Sequence, residues 1–481
     1  MKRSFTVFIS LLVAACLLAG CAGSTDSDSP ENTAGGATEI LLSDEGIQVN
    51  GGGARAEGSI VTISAVGSYS VSGLLSDGQI VIDTGDDAMD VTLILNGVDV
   101  TNLTGPALHI RQAKNARVQL AAGTANKLSS GTEADMALNN ADSSGAALYA
   151  EDDLDIEGEG SLEVYGYINN GIACKDDLDI NSGTVTVLAA NNGIRASESV
   201  DIKGGTVAVN AGGDGVKSTS AKKEGKGYVK VSGGELAITA EGDGISAETE
   251  LTISGGKVTV AAEGNPAQGS SKAIKAQTGL TISGGVVTLA SADHAVHSAA
   301  GIDITGGTVT ASATDGKAIA AHGDIMISGG ELTLSSAEDG IETPGNIHIS
   351  GGTVGLLAGD DGLQAGEANT GRGTVTVSGG ELRVSASGQA INARGQLVLD
   401  GGSLIALGGS NKAPMPTGSQ LVLSVSWAGA KDVTVTVSGE TEIASIQAGW
   451  AYKNVLVSTP ALTAETDYTI SNGVNSLVVR P

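Results

Sequence analysis

The residues best suited to chemistry recur in one place, the turn just before a lone aliphatic residue. That position carries Asn170, Asn192, Asp214, Asp243, Lys272, His294, Lys317, Asp339, Asp361 and Gln389 in turn. The residues ahead of it add Asn169, Asn191, Asp293, Glu338 and Asp360, and Glu241 lies two before Asp243. If successive turns stack like strands, equivalent side chains lie about 4.8 Å apart. Two carboxylates at that spacing repel by roughly 3–4 kcal/mol at an effective dielectric of about 20. Such a column holds if the acids are protonated, well solvated, or bridged by cations. Ca²⁺ takes oxygens from carboxylates, amides, backbone carbonyls and water. Glu338, Asp339, Asp360 and Asp361 form one candidate cage, and Asp214, Glu241 and Asp243 another, with Asn192 one turn away. The alternative is a turn with no ligand, since Asp-Gly suits turns on backbone grounds and stacked amides hydrogen-bond to one another.

A second acidic column is Asp153, Asp155, Asp177, Asp179 and Asp201, a weaker candidate for a surface cation. In Asp153-Leu154-Asp155-Ile156 the aliphatics alternate with acids that face outward. The run Asp153-x-Asp155-x-Glu157-Gly158 resembles the start of an EF-hand loop, but its twelfth position is Val164 and the alternation is that of a strand. Between the acidic clusters lies a basic segment, with His294 and His297 flanked by Lys272, Lys275 and Lys317. It suits a polyanionic chain or a proton-abstracting base, or simply balances charge along the column. No G-x-S-x-G, H-E-x-x-H, Walker loop or C-x-x-C is present.

These turns are positioned by a repeat. Its second glycine recurs at Gly160, Gly183, Gly205, Gly234, Gly256, Gly285, Gly307, Gly330, Gly352, Gly380 and Gly402, at intervals of 22 or 23 broken by three of 28 or 29. A fixed period of this size marks a solenoid. Leu251-Thr252-Ile253 alternates as a strand does, Gly255-Gly256 turns the chain, and Val258-Thr259-Val260 alternates again. Short strands and tight turns leave no room for a helix within a repeat. A single coil cannot bury its aliphatics, but stacked coils can. The fold expected is all-β, a right-handed parallel β-helix of about 22 residues per coil with a small C-terminal β segment. Aromatics make up only 2% of the chain, which suits a narrow aliphatic core. A leucine-rich repeat is excluded because its L-x-x-L-x-L-x-x-N pattern is missing.

In chain order, residues 1–20 read as a secretion signal, with Met1-Lys2-Arg3 basic and the following run apolar. Leu18-Ala19-Gly20-Cys21 reads as a lipobox, which predicts a lipid on Cys21, a membrane anchor and an extracytoplasmic, cell-surface location. Residues 21–40 form a flexible tether, 41–410 the coils (41–140 less regular), and 411–481 a C-terminal segment covering the open end. Insertions at 219–227, 264–271 and 366–373 are expected to project as loops, and Pro414 and Pro416 to end the repeats. Cys174 is left without a partner, a buried hydrophobe rather than a nucleophile. The chain has 26 Lys and Arg against 54 Asp and Glu, and loss of Lys2 and Arg3 brings it to a formal charge of about −30. That excludes nucleic acid as the expected partner. A monomer is expected.

With these residues in view, the chain resembles a bacterial family of calcium-binding, parallel β-helix carbohydrate-binding proteins that take cellulose and acidic pectin chains. The resemblance covers most of residues 40–480. It rests on Gly78-Gln79-Ile80-Val81-Ile82-Asp83, Asp152-Asp153-Leu154-Asp155-Ile156 and Asn170-Gly171-Ile172-Ala173-Cys174-Lys175-Asp176-Asp177-Leu178. It continues through Gly213-Asp214-Gly215-Val216-Lys217-Ser218 and Gly242-Asp243-Gly244-Ile245-Ser246-Ala247 to Trp450-Ala451-Tyr452-Lys453-Asn454-Val455 and Ser458-Thr459-Pro460-Ala461-Leu462. It implies Ca²⁺ at the D-G-[IVL] turns and a plant cell-wall polysaccharide as ligand. Lys272, His294, Lys317 and Gln389 depart from the turn acid. Tyr149, Tyr165, Tyr167 and Tyr228 are the few aromatics in the regular coils, and a neutral glucan wants an exposed aromatic face. An acidic polysaccharide such as polygalacturonate, bridged by Ca²⁺, is therefore the expected partner. The family is similar in shape to polysaccharide lyases, so two alternatives stand beside a non-catalytic binder. One is a pectate-type lyase with Lys217, Lys272 or Lys275 as base, and the other is a structural adhesin.

Overall fold

A computed structural model describes residues 37–85, 90–137, 145–369, 371–412 and 415–481. The expected signal sequence, Cys21 and Pro414 lie outside the described residues. Each regular repeat folds into three short strands. One set is Ile319–Ala321, Ile325–Ile327 and Glu331–Ser336, and the next is Ile341–Thr343, Ile347–Ile349 and Thr353–Ala358. Every strand pairs in parallel with its equivalent one repeat later: Ile319 with Ile341, Ile325 with Ile347, Glu331 with Thr353. The chain thus builds three stacks, visiting each once per repeat. Among the described residues the sole helical element is the 3₁₀ turn Glu133–Ala137.

Alternation within each strand decides which side is core. In Glu331–Ser336, Leu332 and Leu334 are buried while Glu331 and Thr333 face solvent. Fully burying one such side chain is worth roughly 1.5–3 kcal/mol. The aliphatics of all three stacks join in one cluster running from Ile40 to Leu456. The paired glycines are needed because backbone lies on backbone at this turn. Gly330 and Gly352 have φ of +90° and +79°, and a Cβ on Gly352 would sit 2.7 Å from the Gly330 carbonyl oxygen.

Both ends are less regular. The first strand, Thr38–Leu42, already pairs with Gly67–Leu75, so residues 38–40 of the expected tether belong to the sheet. Pro416 does not stop the stacking either, because Pro416–Thr417 adds one more parallel rung on Leu397 and Val398. Tyr452–Ser458 then lies antiparallel on the last long strand, Leu397–Gly408, and on Val422–Gly429. A separate antiparallel sheet of four strands and its own apolar cluster complete the C-terminal part.

Candidate functional site

The turn column lies between the third strand of one repeat and the first strand of the next. Its acceptor side chains form a ladder to the backbone. Asn170 Oδ1 accepts from the N–H of Asn192 at 3.2 Å, and Asn192 Oδ1 accepts from that of Asp214 at 3.1 Å. Asp214 Oδ1 accepts from Asp243 N–H at 2.8 Å, and Asp243 Oδ1 from Lys272 N–H at 2.9 Å. The ladder resumes where His294 Nδ1 accepts from Lys317 N–H at 3.1 Å, then where Asp339 Oδ1 accepts from Asp361 N–H at 2.9 Å and Asp361 Oδ1 from Gln389 N–H at 2.6 Å. Each rung satisfies a turn N–H that strand pairing leaves over. The glycine that follows has a separate cause. A Cβ on Gly244 would lie 2.1 Å from Val260 Cγ1, and one on Gly340 2.5 Å from Leu356 Cδ1.

The remaining carboxylate oxygens divide the column in two. In the first acidic set, lysines answer them. Lys217 Nζ lies 2.6 Å from Asp214 Oδ2, and Lys275 Nζ lies 3.2 Å from Asp243 Oδ2. Ser270 Oγ also donates to Asp243 Oδ1 at 2.5 Å, while Glu241 is exposed. In the second set, amides answer them. Gln364 Nε2 donates to Asp339 Oδ2 at 3.2 Å and Asn392 Nδ2 donates to Asp361 Oδ2. Asp339 and Asp361 are buried, Glu338 and Asp360 exposed. Burial, with Asp361 and Asp360 adding repulsion, pushes Asp339 up to about 6 despite the hydrogen bond from Asp361 N–H. Burial likewise raises Asp360, with Asp361 and Glu338 adding to it. The nearest cation, Lys317, is held by Glu338 and Glu342 at 2.9 and 3.0 Å.

Tested against Ca²⁺, the two sets differ. The second offers hard oxygens and excess negative charge, so its chemistry fits the ion. The first is already neutralised by ammonium groups and does not call for one. Among the described residues, no three His, Cys, Asp or Glu side chains converge closely enough to hold a metal as they stand. An ion at the second set would therefore draw part of its shell from amides, carbonyls or water.

The weaker column lies on the second-strand stack and is also tied to the protein. Asp153 Oδ1 accepts from Asp177 N–H at 3.2 Å, and Asp155 Oδ2 from Asn115 Nδ2 at 3.0 Å. Asp179 pairs with Lys203 at 2.5 Å, and Asp201 lies 3.9 Å from Lys230. Lys226, on the 219–227 insertion, pairs with Asp177 and with Glu198, so this insertion folds back over the acidic column rather than projecting.

The three candidate bases are engaged as well. Lys217 and Lys275 hold Asp214 and Asp243, and Lys272 pairs with Asp293. Beside them is an imidazole cluster that sequence reasoning saw only in part. His294 and His297 stack at 5.7 Å, and His322 meets His297 edge-on at 5.7 Å. Burial lowers His297 to about 4, with Lys272, His294, His322 and Lys275 acting the same way. Its Nδ1 is buried without a hydrogen-bond partner. His322, Gln364 and Arg394 share a groove of about 690 Å³ with His297. Reading the central residue of each first strand down the stack would have pointed to Gln364, but His322 and Arg394 lie just past strand ends, off that register.

This chain is similar to a curated relative and to a solved structure. A relative from Acetivibrio thermocellus, described as a carbohydrate-binding domain-containing protein, is 35% identical over 129 residues. The match takes in 27% of this chain and spans 45% of the relative's length. A solved structure described as the polysaccharide lyase-like protein from C. thermocellum, gadolinium derivative, is 31% identical with a TM-score of 0.47, covering 51% of this chain and 96% of that one. The family pattern for carbohydrate-binding domain-containing proteins matches residues 57–317 and 312–478, nearly the whole described chain. This chain belongs to the family of carbohydrate-binding domain-containing proteins.

Proposed function

We propose that this is a non-catalytic polysaccharide-binding protein of the cell surface. Its three strand stacks wind as a right-handed parallel β-helix, a lipid on Cys21 anchors it, and it acts as a monomer. Its ligand is acidic plant cell-wall polysaccharide, polygalacturonate above all, with cellulose as a secondary one. Family membership supports a carbohydrate ligand. The observation that carries the acidic, calcium-dependent form is the carboxylate set Glu338, Asp339, Asp360 and Asp361, where burial and the neighbouring acids push Asp339 up to about 6 and the one nearby lysine, Lys317, is paired with Glu338 and Glu342 rather than with Asp339. When bound there, Ca²⁺ would offset that charge and offer open coordination positions to a uronate carboxylate. Asp339 and Asp361 would orient the ion while their Oδ1 atoms keep the turns in register. The engagement of Lys217, Lys272 and Lys275 by carboxylates speaks for binding without cleavage.

The test is calorimetry of metal-stripped protein with Ca²⁺, then with polygalacturonate fragments. Saturable calcium binding that strengthens glycan binding is expected, with no growth of ultraviolet absorbance from unsaturated products. Absence of glycan binding both in calcium and in chelator would overturn the reading. For the anchor, Cys21→Ala should release the protein from the membrane fraction into the medium.

A further inference from the structure

The central residue of each first strand runs Lys275, His297, Ala320, Glu342, Gln364, Asn392 along the stack. Long polar side chains flank a single methyl group at Ala320. The missing bulk leaves the groove, floored by Ala320 and Pro344, with His297 before it and Gln364 and Arg394 after it. Arg394 differs from the other cations nearby. Lys272, Lys275 and Lys317 are each held by a carboxylate. Arg394 is exposed, donates from Nη2 to Gln364 Oε1 at 3.1 Å, and has no ion-pair partner among the described residues.

We infer that this groove is a glycan subsite in which Arg394 takes the carboxylate of a uronic acid directly, without a metal ion, while the sugar ring lies over Ala320 beside His297 and His322. A guanidinium presents a planar fork that matches a carboxylate in two parallel hydrogen bonds. Glu342 and Glu367 also line the groove, Glu342 held by Lys317, but no carboxylate pairs with Arg394 among the described residues, which leaves its fork to the carboxylate of the sugar. A neutral imidazole has one donor and one acceptor nitrogen, which suits sugar hydroxyls. His297 lines the groove and its Nδ1 lacks a hydrogen-bond partner. Five strands, from Val296–Ser298 to Ile391–Ala393, span roughly 19 Å at about 4.8 Å per step, enough for a short run of linked rings along the stack. The inference rests on the polysaccharide-binding reading. It adds a place and a contact that do not depend on calcium.

The experiment is calorimetry of the full chain with short oligogalacturonates and their methyl esters, in chelator and in calcium. Three proteins are compared: wild type, Arg394→Gln and Ala320→Phe, each checked for an unchanged melting temperature. In chelator, wild type should bind the free acid and prefer it to the ester. Arg394→Gln should weaken the free acid about tenfold and abolish that preference. Ala320→Phe should weaken acid and ester alike by filling the floor. If wild type binds and both variants match it, the groove is overturned while the polysaccharide reading stands. If wild type binds nothing in either buffer, both fall.

Discussion

The two acidic stretches of the turn column share a ladder and differ in what neutralises them. Around Asp214 and Asp243, Lys217 and Lys275 supply the positive charge from within the fold. Around Asp339 and Asp361, amides fill the same places, and amides bring hydrogen bonds without charge. The Oδ1 atoms do the same work in both. The recurring Asp-Gly turn is thus a backbone device first. The partner of its second oxygen decides how much charge is left for the proposed ion to answer.

Alanine at the buried acids should give the largest effects. Asp243→Ala leaves Lys272 N–H and Ser270 without an acceptor and Lys275 without its carboxylate. A loss of about 3–5 kcal/mol is expected, equal in calcium and in chelator, by chemical denaturation. Asp361→Ala leaves Gln389 N–H and one N–H of Asn392 unanswered, while Asn392 Nδ2 keeps its bond to Gln364 Oε1, for about 2–4 kcal/mol in chelator. If calcium binds there as proposed, its deficit should widen in calcium, because only the wild type would gain from the ion. Equal deficits in the two buffers would dissolve the contrast.

Asp339→Asn separates the ladder from the charge. The amide oxygen can still accept from Asp361 N–H, as Asn170 and Asn192 do for their neighbours. In chelator at neutral pH the variant should equal or exceed wild type, by about 1–2 kcal/mol, since a buried charge is removed. In calcium the order should invert. Asp214→Asn is the control: it loses the Lys217 pair and should cost about 0.5–1 kcal/mol in either buffer.

Much of this was legible beforehand. The glycine period and the strand alternation are local and repeat many times, so they exposed a repeat of two or three short strands and its parallel stacking, and the structure fixes the number at three. The turn column was legible as positions, but its chemistry was not. A ligand for calcium and an acceptor for the next N–H call for the same side chains at the same spacing. The Asp214–Lys217 pair sits within one turn and could have been read as such. The pairing of Lys275 with Asp243 crosses an insertion of variable length, which hides the register. For the same reason Lys226 looked like part of a projecting loop, although it closes over Asp177. Arg394 stood outside every repeat position considered.

The same contrast sets a pH dependence. Asp339 has an ordinary value of 3.8 and is raised to about 6 in the fold. Below 3.8 both states hold the proton and the group is neutral to stability. As pH rises from about 4 to 6, the unfolded chain releases its proton first. The unfolded state therefore binds fewer protons, and stability falls across this window and stays lower above it. The contribution is of order 1–2 kcal/mol once solvent screening is allowed for. Denaturation in chelator across this range should show a steeper fall for wild type than for Asp339→Asn. Using the difference between the two cancels the other titrating acids. Parallel curves would remove Asp339 as the source.

The smallest effect tests the comparison most directly, by converting one stretch into the other. In Lys217→Met with Lys275→Met, the long apolar stems persist while Asp214 and Asp243 lose their ammonium groups. Each substitution should cost about 0.5–1 kcal/mol in chelator, since both lysines are partly exposed. If uncompensated charge is what opens a turn to an ion, calcium should now restore part of that loss, with no such recovery in wild-type turns treated alike. Calorimetry should show one further, weaker calcium site. If the double variant stays indifferent to calcium, charge alone does not distinguish the stretches. The decisive difference would then be the exposed pair Glu338 and Asp360, which places extra oxygens beside the buried acids. In the first stretch those two positions read Gly213 and Gly242, and Glu241 stands one residue earlier. Neither oxygen can be added there without moving the ladder, since a Cβ on Gly242 would lie 2.4 Å from Asp214 Oδ1 and one on Gly213 2.6 Å from Asn191 Oδ1.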